Sequence, residues 1–232
     1  MSAPDLIVLR DICFSFSATK PVLDHASFTL APGEKIALTG PNGAGKTTLL
    51  HIMMGLQTAP KGAITVLQKP CRTEKDFRAI RGKVGLLFQD SDDQLFCPTV
   101  IEDVAFGPLN LGYNDADALE ISHKTLADLG LSGFENRITH QLSGGEKRLV
   151  ALATVLAMAP EILLLDEPTN GLDHRVESRL IEILQNLPQA MVIVSHNQSF
   201  LDQVATRKVT LHNGKLISES ETWQKPMVEN TQ

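Results

Sequence analysis

Gly40-Pro41-Asn42-Gly43-Ala44-Gly45-Lys46-Thr47-Thr48 is the stretch on which the reading of this chain turns. Gly40 and Gly45 stand at the spacing G-x-x-x-x-G-K-[ST]. In that pattern backbone N–H groups converge on phosphate oxygens, the lysine reaches the β and γ positions, and the hydroxyl after it can ligate Mg²⁺. Upstream, Ile36-Ala37-Leu38 reads as a buried strand, and downstream Thr48 to Met54 reads as a helix. A strand, a glycine loop and a helix start are the context this motif needs, because a helix N-terminus offers an anion unpaired amides and the positive end of its dipole. An accidental glycine turn matches the spacing in roughly one chain in a hundred of this size. Residues Gly40 to Thr48 are therefore expected to cradle nucleotide phosphates, with Lys46 supplying charge and Thr47 a metal ligand.

Composition narrows the partners. The 232 residues carry 21 Lys and Arg against 27 Asp and Glu, a formal net charge of -6. No basic run exceeds two residues, so a nucleic-acid partner has no electrostatic footprint. The longest apolar run, Leu149 to Pro160, is too short to cross a bilayer, and the N-terminus lacks the basic-then-apolar pattern of a signal peptide. The expectation is a chain kept on the cytoplasmic side, without a transmembrane segment. Cys13, Cys71 and Cys97 are odd in number, scattered and without C-x-x-C spacing. They predict three reduced thiols rather than disulfides or a structural zinc site.

Leu6 to Leu30 alternates apolar and polar residues as antiparallel strands do, and Pro32-Gly33 supplies a turn into the phosphate-loop strand. Thr99 to Gly130 turns helical, with Asn114 or Asp115 as N-cap and Gly130 as a stop. Ile162-Leu163-Leu164-Leu165 and Met191-Val192-Ile193-Val194 read as buried strands, separated by a helix whose apolar face is Val176, Leu180, Ile183, Leu184 and Leu187. The fold class expected is α/β: a mostly parallel sheet core carrying helices, an antiparallel β-subdomain and an inserted helical subdomain. In such sheets ligands gather at the carboxyl ends of the strands. Residues of about 1–88 and 160–215 are assigned to the β-subdomain and core, about 90–159 to the helical insertion, and 216–232 to a polar tail.

Two further segments carry chemistry. Ile162 to Leu165 ends in Asp166-Glu167-Pro168, a buried run delivering two acids to the phosphate edge. Asp166 can then hold the Mg²⁺ shell and Glu167 can polarise an attacking water. Leu142-Ser143-Gly144-Gly145-Glu146-Lys147 opens a helix running to Met158 and makes a second anion-facing helix start. With these three segments in this order, the chain resembles the ATP-binding-cassette ATPases: Gly40 to Thr47 matches the first nucleotide motif, Asp166-Glu167 the second, and Leu142 to Glu146 the LSGGQ-type motif.

That resemblance implies a P-loop NTPase fold and an ATP hydrolase coupled to membrane transport, using ATP and Mg²⁺. It implies that Phe16 stacks on adenine, that Gln89 senses Mg²⁺, that Asp173 belongs to the loop speaking across a dimer, and that His196 contacts the γ-phosphate. It also implies a head-to-tail sandwich of two copies, or of one copy and a paralogous ATPase, with Ser143, Gly144, Gly145 and Glu146 of one facing the ATP of the other. Glu146 departs from the usual glutamine; its charge is expected to need Lys147, Arg148 or a partner group. Asp92-Asp93-Gln94-Leu95-Phe96, followed by Phe106-Gly107-Pro108-Leu109-Asn110-Leu111, resembles the ATPases of energy-coupling-factor importers of the cobalt and nickel type. In that group this segment docks a transmembrane coupling subunit, which works beside a substrate-binding membrane subunit. The expected setting is peripheral, on the cytoplasmic face of the cell membrane, powering uptake of a metal cation or a vitamin. The alternatives are the ATPase of another importer or exporter, or a cassette protein outside transport. Many ATPases of this group continue into a C-terminal helical domain, whereas this chain stops soon after Asn213-Gly214, which predicts a mainly monomeric nucleotide-free form.

Overall fold

The computed structural model describes residues 3–17 and 21–218. The first half of the chain forms β1 (Ile7–Phe14), β2 (Leu23–Leu30), β3 (Lys35–Thr39), α1 (Lys46–Met53), β4 (Lys61–Val66), β5 (Lys69–Cys71), α2 (Glu74–Arg78), β6 (Val84–Leu87) and α3 (Val100–Asn110). The second half forms α4 (Asp115–Asp128), α5 (Gly144–Leu156), β7 (Ile162–Asp166), α6 (His174–Asn186), β8 (Ala190–Val194), α7 (Gln198–Val204), β9 (Arg207–His212) and β10 (Lys215–Ser218). Six strands make the central sheet in the order β10-β9-β3-β8-β7-β6, parallel throughout except for β10. A four-stranded antiparallel sheet, β2-β1-β4-β5, lies beside it.

The continuous apolar runs follow from burial on both faces. Successive side chains of a strand point to opposite sides. In β7 and β8, Ile162, Leu164, Ala190, Val192 and Val194 join a core shared with α1 and the antiparallel sheet. Leu163, Leu165, Met191 and Ile193 join a second core under α5, α6 and α7. On β1 and β2 only one face is buried, which gives the alternation seen in the sequence. A two-residue turn joins β9 to β10: Asn213 and Gly214 take φ of 48° and 76°, the pair of left-handed residues that matches strand twist. Residues 216–218, assigned to the polar tail, are thus the end of β10. The rest of that tail lies outside the described residues.

The helical stretch expected from Thr99 to Gly130 is two helices. Pro108 has no amide to offer the preceding turn, and α3 stops soon after it. Gly112, at φ 95°, then reverses the chain. Asn114 rather than Asp115 caps α4, its side chain accepting from the Asp117 amide at 2.9 Å. The insertion is pinned by one buried acid. Asp103 accepts from the Phe96 and Cys97 amides at 3.0 and 2.9 Å and from the Thr139 hydroxyl at 3.0 Å. Replacing it, as Asp103→Ala, leaves the buried Thr139 hydroxyl and two part-buried amides without their acceptor. The variant should lose about 2–4 kcal/mol in urea denaturation; an unchanged midpoint would contradict the role given to this carboxylate.

Candidate nucleotide site

At the carboxyl edge of the central sheet three strands end level. Leu38 of β3 pairs with Val194 of β8, and Val194 pairs with Asp166 of β7. The phosphate loop, the acids and His196 therefore leave the sheet side by side. They line a cleft of about 620 Å³ with Phe16, Val22, Asn42 to Thr48, Gln89 and Asn170.

The loop is built for close approach. A β-carbon on Gly40 would run into the Leu211 carbonyl, and Gly45 holds φ 103° beside Val22. Side chains of Asn114, Ser143, Asp173 and Asn197 cap α4, α5, α6 and α7. By contrast α1 starts on Gly45 with no side-chain cap and no acid in its first turn. Its first amides are left for an external anion. The Lys46 ammonium donates to the carbonyls of Gly40 and Pro41 at 2.9 and 3.1 Å, which holds it over the loop. Burial pulls its pKa below the usual lysine value, while Glu167 and Asp166 push the other way.

Asp166 is 3% exposed, and among the described residues its buried Oδ1 has no hydrogen-bond partner. An orphaned carboxylate oxygen beside a hydroxyl and an amide carbonyl suits a small hard cation with oxygen ligands. Asp166, Thr47 and Gln89 thus fit Mg²⁺. Glu167 follows at φ 45°, a left-handed turn costing about 1 kcal/mol for a side-chain-bearing residue, and its amide is tied to the Val194 carbonyl at 2.9 Å. Its carboxylate meets His196 twice, at 3.3 Å from Nε2 and 3.2 Å from the backbone amide. Phe16 stands at the lip, 69% exposed, edge-on to Phe14 with centroids 4.9 Å apart. Asp173 is exposed and caps α6 through the Val176 amide at 2.9 Å.

Ser143, Gly145 and Glu146 do not line this cleft. At their helix start Ser143 Oγ accepts from the Glu146 amide, while Glu146 Oε2 accepts from the Ser143 amide at 2.8 Å and hydroxyl at 2.9 Å. The charge of Glu146 is balanced differently from expectation. Helical rotation carries Lys147 toward Asp92, at 2.5 Å, and turns the buried Arg148 onto the Phe88 and Gln89 carbonyls. Arg137 instead pairs with Glu146 at 2.8 Å. Neither Arg137 nor the anchoring role of Arg148 is marked by a motif, so both show only in the folded chain.

The segment expected to dock a partner divides. Leu95 turns into the core, and Gln94 is a strut, accepting from the Phe88 amide and donating to Ala151 and Thr154. Asp92 is held by Lys147. Phe96, Asp93 and part of Gln94 face a largely apolar groove of about 570 Å³, which Leu56, Phe106, Leu111 and Met158 also line, with Arg78 and Arg81 in its wall. The Phe96 and Phe106 rings meet edge to face at 4.8 Å, and both are exposed.

Hydrogen bonds from Ser143, reinforced by Arg137, hold the Glu146 carboxyl below the ordinary 4.5. A depressed acid stabilises the fold above its unfolded pKa and loses that contribution as pH falls through the folded value. Glu146→Gln should shift stability at pH 7 by less than about 1 kcal/mol, since the pair is solvent-screened. It should also flatten the loss of stability below pH ~4, read from melts across acid pH.

The ABC transporter family model matches residues 23–170. A provisionally named ABC transporter ATP-binding protein of Brucella suis biovar 1 is 57% identical over 196 residues, covering 84% of this chain and 82% of its own. The energy-coupling factor transporter ATP-binding protein EcfA of Methanothermobacter thermautotrophicus is 44% identical over 218 residues, covering 92% and 70%. The solved structure of cbiO1 from Clostridium perfringens, described as part of the ABC transporter complex cbiONQ, superposes with a TM-score of 0.82 at 29% identity, covering 93% of this chain and 88% of its own. Among the described residues no helix is long and apolar enough to cross a membrane. The chain belongs to the ABC transporter family, as an ATP-binding, ATP-hydrolysing subunit with the P-loop cassette fold.

Proposed function

We propose that two cassettes close head to tail over two ATP molecules, each copy supplying its phosphate loop to one and its Ser143 helix start to the other. The observation that carries this is the separation just described: the Ser143 motif is a helix start without a place in its own chain's nucleotide cleft. Lys46 and the amides of α1 bind and orient the phosphates. Thr47, Asp166 and Gln89 would hold Mg²⁺, which would supply charge neutralisation for the phosphates. Glu167 accepts a hydrogen bond from the attacking water and orients it in line. His196, held against Glu167, donates toward the transferring phosphoryl group. Positioning and electrostatics thus carry the reaction, with no covalent intermediate on the protein.

The cassette serves an importer of the energy-coupling-factor type, moving a micronutrient such as a transition-metal cation or a vitamin. Support comes from the EcfA and cbiO1 likenesses and from the Phe96 groove, a largely apolar trough that carries Asp93 together with Arg78 and Arg81. A helix of the transmembrane subunit with an apolar face, flanked by charges of both signs, fits that trough.

Glu167→Gln should bind ATP with Mg²⁺, sediment as a dimer and hydrolyse about 10²–10⁴-fold more slowly. Normal turnover, or a monomer in saturating ATP, would overturn the assignment. Phe96→Ala should leave basal hydrolysis intact while lowering recovery of the membrane subunits from detergent-solubilised native membranes, read by quantitative mass spectrometry.

A further inference from the structure

Outside the nucleotide cleft, Cys13, Asp24 and His25 bring a thiol, a carboxylate and an imidazole together, one ligand atom of each lying within 4.8 Å of the others. Two irregularities in the β1–β2 ladder gather them. The register shifts between Leu9 and Ile12 and again between Ile12 and Phe14. Asp11 and His25 hold left-handed φ of 53° and 51° there. An extra residue in a strand breaks its alternation. Arg10 and Asp11 therefore both lie outside the core between buried Leu9 and Ile12, and Asp24 and His25 both do so between buried Leu23 and Ala26. A regular β2 would send one of the latter pair inward. Instead both stand on the outer face, across from Cys13.

We propose that Cys13, Asp24 and His25 form a binding site for a divalent transition-metal cation of the zinc or cobalt class. The donor set is the reason for the class. Sulfur with imidazole nitrogen selects borderline-soft metals, whereas Mg²⁺ and Ca²⁺ take oxygen throughout. Metal–ligand bonds of about 2.0–2.3 Å in a tetrahedron set ligand atoms roughly 3.3–3.7 Å apart. The three side chains must close by about 1 Å, which side-chain rotation provides at a half-buried Cys13 and Asp24 and an exposed His25. Asp11 stands near enough to become an outer partner, its Oδ1 lying 3.9 Å from His25 Nδ1, a gap that rotation of these exposed side chains would close. With three protein ligands and solvent on one side, the site keeps a coordination position open. The other thiols are poor competitors. Burial pushes the Cys71 thiol up, and burial with the neighbouring Asp103 pushes Cys97 up to about 11.

The test is a Co²⁺ titration of the full-length, nucleotide-free protein under anaerobic conditions. A thiolate-to-cobalt charge-transfer band should rise to one equivalent and be displaced by Zn²⁺. Cys13→Ser should abolish the band, and the exposed-site variant His25→Ala should weaken Co²⁺ binding at least about 10-fold. Asp11→Asn should weaken it about 10-fold through the outer shell. The double variant Cys71→Ser, Cys97→Ser should keep the band, and circular dichroism checks that each variant is folded. Absence of the band in the wild-type chain, its survival in Cys13→Ser, or its loss only in the double variant refutes the site. None of these outcomes bears on the nucleotide cleft, whose candidate metal ligands contain no sulfur.

Discussion

The lateral register of the parallel sheet is the constraint on which the cleft depends. Leu38, Val194 and Asp166 are aligned across three strands, and Leu87 pairs with Leu165 on the fourth. Each strand is buried on both faces, with alternate residues committed to different cores. A slip of one residue would exchange those two sets and misplace every side chain. Packing therefore fixes where Gly40, Gln89, Glu167 and His196 emerge. The chemistry at the edge is held by apolar contacts distant from it.

Side chains of α5 carry that placement onward. Arg148 is 4% exposed, and a guanidinium so buried needs acceptors, which it finds in the Phe88 and Gln89 carbonyls. Gln94 returns two hydrogen bonds to α5 and takes one from the Phe88 amide. Lys147 binds Asp92. The segment from Phe88 to Gln94 is thus stitched to the helix that begins at Ser143. It runs from the cleft at Gln89 to the groove at Phe96, tied to one helix along the way.

Much of this was legible in sequence wherever one local pattern determined the structure. Ile36–Leu38, Ile162–Leu165 and Met191–Val194 are apolar runs, and burial on both faces is what such runs require. The glycine loop was legible because its backbone needs residues without a β-carbon. Less was legible where partners are distant. Lys61–Val66 is largely exposed over its first half and carries little hydrophobic signal, so β4 escaped notice. Asn213-Gly214 is a strong hairpin turn, but β10 beyond it is short and mostly exposed. The inward turn of Leu95 and the pairing of Arg137 with Glu146 depend on packing across the insertion. No period or spacing encodes such choices.

The two helix starts that resemble each other in sequence are opposite in electrostatics. At α1 the first amides have no side chain to satisfy them, so an incoming phosphate meets free donors and a lysine. At α5 the cap is reciprocal, and Glu146 already places a negative charge at the positive end of the helix. A phosphate approaching Ser143 must compete with that carboxylate for the single hydroxyl donor. Arg137 lowers the cost by taking the other oxygen of Glu146. Glutamine at this position could still accept from the Ser143 amide while presenting no net charge. The acid is therefore compatible with the fold through Arg137, and it makes the second helix start a weaker anion site than the first. In a two-copy arrangement, nucleotide would bind the α1 loop first and recruit the opposing Ser143 only on closure.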